Sequence, residues 1–180
     1  MSSSLTSQIS SSGLPPESVQ SIESTLKALL PNSTFTSSSN FDASNLSLIH
    51  KGSSAPPEAV RSLVLTAQQM VNSLRDRSSI LGGLRSESDE YGDVGVWLGD
   101  GDYGKGREKD ILRTLGMEGW LEGKISPDSV QDPQVDALDL SAFEDIHRFR
   151  VEGSGDAVAL FLLGRTAGGW GGLVSVATWT

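Results

Sequence analysis

Three strand-like runs joined by short connectors end the chain, and they limit its fold more than any other feature. Residues 146–151, 157–164 and 170–178 are rich in β-branched, aromatic and other apolar residues. The connectors Glu152-Gly153-Ser154-Gly155-Asp156 and Arg165-Thr166-Ala167-Gly168-Gly169 have hairpin length, so the runs are expected to form an antiparallel meander. In the last run Leu173, Ser175, Ala177 and Trp179 alternate with Val174, Val176, Thr178 and Thr180. A strand continuing this far would hold the Thr180 hydroxyl and α-carboxylate at a fixed place, where they could act as a ligand for a cation. The plainer alternative is that the chain stops where its sheet stops.

The helices come earlier. Val60, Leu63, Val64, Ala67, Met70, Val71 and Leu74 recur at three and four residues, after the cap-forming serines, prolines and acid of Ser53-Ser54-Ala55-Pro56-Pro57-Glu58. This spacing predicts a helix over 58–77, stopped by Gly82-Gly83. Pro15-Pro16-Glu17 opens a second helix over 15–30, and a modest one is expected over 107–115. Val94-Gly95-Val96-Trp97-Leu98 reads as a short strand. Residues 117–140 hold Pro127 and Pro133 among scattered acids and read as a long surface excursion. After it, Ser141 and Glu144 suggest one turn closed by a capping box. The fold class is therefore α+β, with helices packed on an antiparallel sheet.

Residues 1–54 differ from the rest, with 18 serines and only five charged side chains. They read as a Ser-rich N-terminal extension carrying the 15–30 helix, with 1–13 and 32–54 weakly ordered. Residues 55–180 then form the main domain. The size of 180 residues fits this division.

A net charge of −9 argues against nucleic acid as a direct partner, because phosphate binding needs clustered Lys and Arg. The same balance suits docking on a basic protein surface. No secretory signal and no apolar run of membrane-spanning length is evident, so a cytoplasmic protein with no membrane contact is expected. Without cysteine there is no thiol chemistry and no disulfide.

Several motifs fail as catalytic sites. Gly99-x-Gly101-x-x-Gly104 matches the dinucleotide pattern in form, but Asp100 and Asp102 would face a pyrophosphate. An antiparallel meander also offers no parallel crossover. His50 and His147 stand alone, and no Gly-x-Ser-x-Gly elbow is present. No enzyme and no cofactor is expected. One acidic cluster survives: Ser86-Glu87-Ser88-Asp89-Glu90-Tyr91-Gly92-Asp93 carries four acids in eight residues. Unless it is merely a solvated loop, it faces a cation, whether Lys, Arg or a metal ion.

Gly83-Leu84-Arg85-Ser86-Glu87-Ser88-Asp89-Glu90-Tyr91, followed by the 94–98 strand, resembles the Ser-Glu-Ser-acid-Tyr segment and first strand of the nuclease A inhibitor family. Val158 to Gly164, Thr166, Gly168, Gly172-Leu173-Val174-Ser175 and the final Thr180 are similar to that family's closing hairpin. About 50 residues in two blocks carry the likeness. It implies an α-β-α sandwich and an inhibitor of a metal-dependent, sugar-nonspecific nuclease, monomeric when free. In that family the glutamate and the terminal threonine enter the nuclease active site, which implies those roles for Glu87 and Thr180. Asp89, Glu90 and Asp93 would steer the protein to a positive cleft, and Trp120 would be the counterpart of an apolar contact residue. The 105–145 region departs from the family, which has a long helix there. The alternative is an interaction or scaffold domain of the same fold with no nuclease target.

Overall fold

The structure is a computed structural model and describes residues 9, 13–31, 40–50, 53–87 and 90–179. It is an α+β fold. Among the described residues seven strands form one sheet in the order β1-β2-β3-β7-β6-β5-β4. They are β1 Phe41–Asp42, β2 Ser47–Ile49, β3 Val94–Gly99, β4 Ile125–Pro127, β5 Glu144–Glu152, β6 Ala157–Thr166 and β7 Gly169–Thr178. The expected meander is β5-β6-β7, in antiparallel register with Phe149 opposite Phe161 and Phe161 opposite Val174. Its second hairpin closes in a two-residue loop, where the Thr166 hydroxyl accepts from the Gly168 N–H.

Four α-helices of more than one residue accompany the sheet among the described residues: α1 Pro16–Leu29, α2 Glu58–Leu74, α3 Glu108–Thr114 and α4 Pro133–Asp136. The periodicity of α1 buries Val19, Ile22, Leu26 and Leu29, and that of α2 buries Val60, Leu63, Val64 and Ala67. Helix α2 ends three residues before the expected Arg77. Arg75 adopts a left-handed conformation (φ 61°) while its N–H still reaches the Val71 carbonyl. Beyond that turn Arg77 reaches the Asp132 carboxylate at 3.2 Å.

Both faces of the central strands are covered. Leu160 and Leu162 point to one face of β6, Phe161 and Leu163 to the other, and all four are buried. Helix α2 lies on the Gly95 face, so close that a Cβ on Gly95 would fall 2.7 Å from Val64 Cγ2. The opposite face is capped by the loop after β3, where the Trp170 indole N–H donates to the Gly101 carbonyl at 3.1 Å. The His147 ring reaches the Tyr103 carbonyl on that same side, at 3.0 Å.

Several sequence expectations change. Residue 54 does not divide two cores: β2 pairs in parallel with β3, Leu48 opposite Val96, and Ile22, Leu26 and Leu48 share one core with Val64. The parallel crossover judged absent is therefore present, running from β2 through α2 to β3. Residues 117–140 are no mere surface excursion, because Met117, Trp120, Val135 and Leu138 are buried. Asp139, not Ser141, organises the following turn. Its carboxylate accepts the Ser141 N–H (3.1 Å) and hydroxyl (2.7 Å), while Glu144 opens β5 opposite Arg165. Of the stretches 1–13 and 32–54 expected to be weakly ordered, residues 41–49 are instead built into the sheet as β1, β2 and the turn between them, Ile9 is buried in the core, and most of the remainder lies outside the described residues.

Close approach of α2 to β3 predicts that Gly95→Val destabilises the fold by about 1–3 kcal/mol or more, as overpacking does. Urea unfolding checks this, with an unchanged midpoint contradicting it.

Candidate partner-binding site

The acidic segment is tied down at both ends before it reaches solvent. At its far end Asp93 is fully buried at the start of β3. Its carboxylate accepts the Ile80 N–H at 2.6 Å and the Leu81 N–H at 3.2 Å. Just before it, Gly92 exchanges two hydrogen bonds with the Thr25 hydroxyl of α1 and accepts a third from Ser175 of β7. Burial pushes the Asp93 carboxyl up to about 6, against the two backbone donors that favour its anion. Asp93 is thus an internal anchor, and the steering role expected of it is corrected: a carboxylate with no exposed surface is shielded from a partner.

At the near end Arg85 performs the tethering. Its guanidinium forks onto Asp128, at 2.8 Å to Oδ1 and 2.7 Å to Oδ2, and donates to the Leu81 carbonyl at 3.1 Å. Arg148 adds a second contact to Asp128 at 3.3 Å. Burial alone would raise the Asp128 carboxyl. The Arg85 hydrogen bonds and the charges of Arg85 and Arg148 outweigh it and hold that carboxyl below the usual range. The Arg85 guanidinium also lies 5.5 Å from the Trp179 ring, with Arg150 at 6.0 Å.

From this tether the chain runs onto the end of β7. Strand β3 stops pairing with β7 at Val174, which leaves the far part of that edge open. Residues 86 and 87 occupy it. The Ser86 hydroxyl accepts the Thr178 N–H at 3.2 Å, and the Glu87 N–H donates to the Thr178 carbonyl at 2.7 Å. The exposed Glu87 is consequently held beside the last residues of the sequence. Glu90 is exposed too and accepts from the Tyr91 hydroxyl, whose pKa is pushed up to about 12 by burial and then by Glu90.

Among the expected site residues, Glu87 and Glu90 are exposed on this segment, whereas Asp89 and Thr180 lie outside the described residues. Trp120 is not with them. It is 6% exposed, and its indole N–H donates to the Leu29 carbonyl at 3.1 Å. Its apolar contact is with the protein's own interior, which corrects its expected role against a partner. The residues that sequence reasoning missed are Asp128 and Trp179. Asp128 meets Arg85 across 43 positions, a distance no local pattern reveals. Trp179 stands in the alternation of the last strand, where a core role is as natural as a surface one.

The glycine loop after β3 serves the fold: Gly99 and Gly101 have positive φ, and Asp102 pairs with Arg107 at 3.4 Å. A cleft of about 870 Å³ opens between α1 and α2, lined by Glu17, Ser18, Asn72, Arg75 and Asp76 among others. No histidine lines it. Among the described residues no group of three His, Cys, Asp or Glu side chains could hold a metal ion. No family model, no curated protein and no solved structure matches this chain.

Two outcomes follow from this geometry. Replacing Arg85 with Ala is expected to raise amide exchange at Glu87 at least tenfold, while Leu162 amide exchange stays unchanged; equal exchange at Glu87 would show that Arg85 does not hold the loop. The raised Asp93 pKa means the folded state holds that proton more tightly than the unfolded chain. Its contribution is full below about pH 3.8 and is lost as pH rises through about 6. Between pH 4 and 6 the parent should lose roughly 3 kcal/mol relative to Asp93→Asn, then level off. A pH-independent difference in chemical denaturation would contradict this.

Proposed function

We propose that this protein inhibits a metal-dependent, sugar-nonspecific nuclease, inserting Glu87 and Thr180 into its active site and catalysing nothing itself. The observation that carries the reading is the hydrogen bond from the Glu87 N–H to the Thr178 carbonyl at 2.7 Å. It makes the acidic loop and the end of the last strand neighbours, although 91 residues separate Glu87 from Thr178 in the sequence. A nuclease cleft is built to receive a phosphodiester on cationic groups and a divalent metal. A carboxylate on a stiff loop can take the position of a phosphate oxygen and pair with an arginine there. Thr180 approaches the metal through its hydroxyl or carboxylate, directly or through water.

Rigidity matters as much as charge. Docking Glu87 on a backbone already paired with Thr178 avoids much of the entropy cost of fixing it on binding. Asp89 and Glu90 raise the rate of encounter with a basic partner more than they raise final affinity, in keeping with the net charge of −9. The proposed inhibitor works as a cytoplasmic monomer against that protein partner and contacts no nucleic acid directly. A scaffold domain of the same fold is the competing reading.

The test is a Mg²⁺-dependent DNase assay on a panel of sugar-nonspecific nucleases with added protein. Glu87→Ala and deletion of Thr180 should each weaken inhibition by about 2–5 kcal/mol. A short C-terminal extension should abolish it. Folded variants that all inhibit as well as the parent would remove both residues from the site, and the absence of inhibition by the parent would favour the scaffold.

A further inference from the structure

The surface beside Glu87 has a composition that neither acidity nor sheet packing explains. Three large apolar side chains are exposed among the described residues: Leu84, Val130 and Ile146. Two of them flank the same ion pair. Leu84, 67% exposed, directly precedes Arg85 in the loop. Val130, 41% exposed, offers its carbonyl to Arg148 Nη1 at 3.0 Å, and Arg148 shares Asp128 with Arg85. Trp179 completes the group, half-buried with the Arg85 and Arg150 guanidinium groups near its ring.

The charges here are unevenly satisfied. Arg85 and Arg148 both meet Asp128. Arg150, half-buried on β5, has no carboxylate partner among the described residues and lies 6.0 Å from the Trp179 ring. A guanidinium in this setting matches the geometry of a bidentate carboxylate. Tryptophan and arginine within an apolar surround are also the side chains that dominate affinity in protein interfaces. An acidic plug alone would not need any of these groups.

We infer that Leu84, Val130, Trp179 and Arg150 form a second contact zone continuous with Glu87, and that it packs on the rim of the same nuclease. That rim presents an apolar surface and a carboxylate opposite Arg150. The inference rests on the inhibitor reading and adds its partner chemistry: a cation and metal in the cleft for Glu87, an acid on the rim for Arg150. Charges of opposite sign side by side fix the orientation of docking, because a rotated complex would set like charges against each other.

The experiment measures the half-inhibitory concentration for Mg²⁺-dependent DNA cleavage by a nuclease that the parent inhibits. The variants are Leu84→Asp, Val130→Asp and Arg150→Glu. Lys109→Glu is the control, an equal charge change at an exposed lysine of α3. Circular dichroism and urea midpoints verify that each variant is folded. Arg150→Glu and Leu84→Asp should each raise the half-inhibitory concentration at least tenfold, Val130→Asp at least threefold, and Lys109→Glu less than twofold. If the parent inhibits and the three variants match it, the contact zone is wrong while the Glu87 site stands. A parent that inhibits no nuclease of the panel overturns the inhibitor reading, and this zone with it.

Discussion

Backbone pairing between residues 86–87 and Thr178 is the contact on which the remaining account depends. The open edge of β7 beyond Val174 would otherwise show unpaired N–H and C=O groups to solvent, a standing invitation to other chains. Residues 86 and 87 cover part of it and are held in return. The two ends of the acidic segment are fastened by different means: a buried carboxylate, Asp93, on the backbone of residues 80–81, and a guanidinium fork, Arg85, on Asp128. Losing either partner would leave buried polar groups unsatisfied, which typically costs about 1–3 kcal/mol per group.

Charge distribution carries a lesson that net charge hides. The protein as a whole is strongly acidic, yet three arginines gather around Trp179 and Asp128 near the end of the sequence. Part of this is structural, since Arg85 and Arg148 compensate a nearly buried aspartate whose desolvation would otherwise be expensive. Arg150 falls outside that balance. Acid at Glu87 beside β7 and base at Arg150 on β5 give the surface two poles.

Much of the fold was legible because the signals were local. Apolar, β-branched runs with hairpin-length connectors located β5, β6 and β7, with alternation added only in the last, and the spacing of Val60, Leu63, Val64 and Ala67 located α2. The illegible parts rest on distant partners. Strands β1 and β2 have two and three residues, too short for periodicity, and they exist because β3 offers an edge. The partner contact expected of Trp120 came from the family likeness alone, while the groove that receives it is built by α1, some 90 residues earlier. Glu87 and Glu90 stood out by composition alone. That Asp93 is an anchor and not part of the charged surface could not be read from the same run of acids, because only tertiary packing distinguishes them.

Coupling between the two halves of the proposed plug tests the central claim most directly. A double-mutant cycle would combine Glu87→Ala with deletion of Thr180 and measure inhibition of Mg²⁺-dependent DNA cleavage. If the loop and the chain end act as one unit in one active site, the two losses should be non-additive by more than about 0.5 kcal/mol. Strictly additive losses, or no loss from either change, would contradict it.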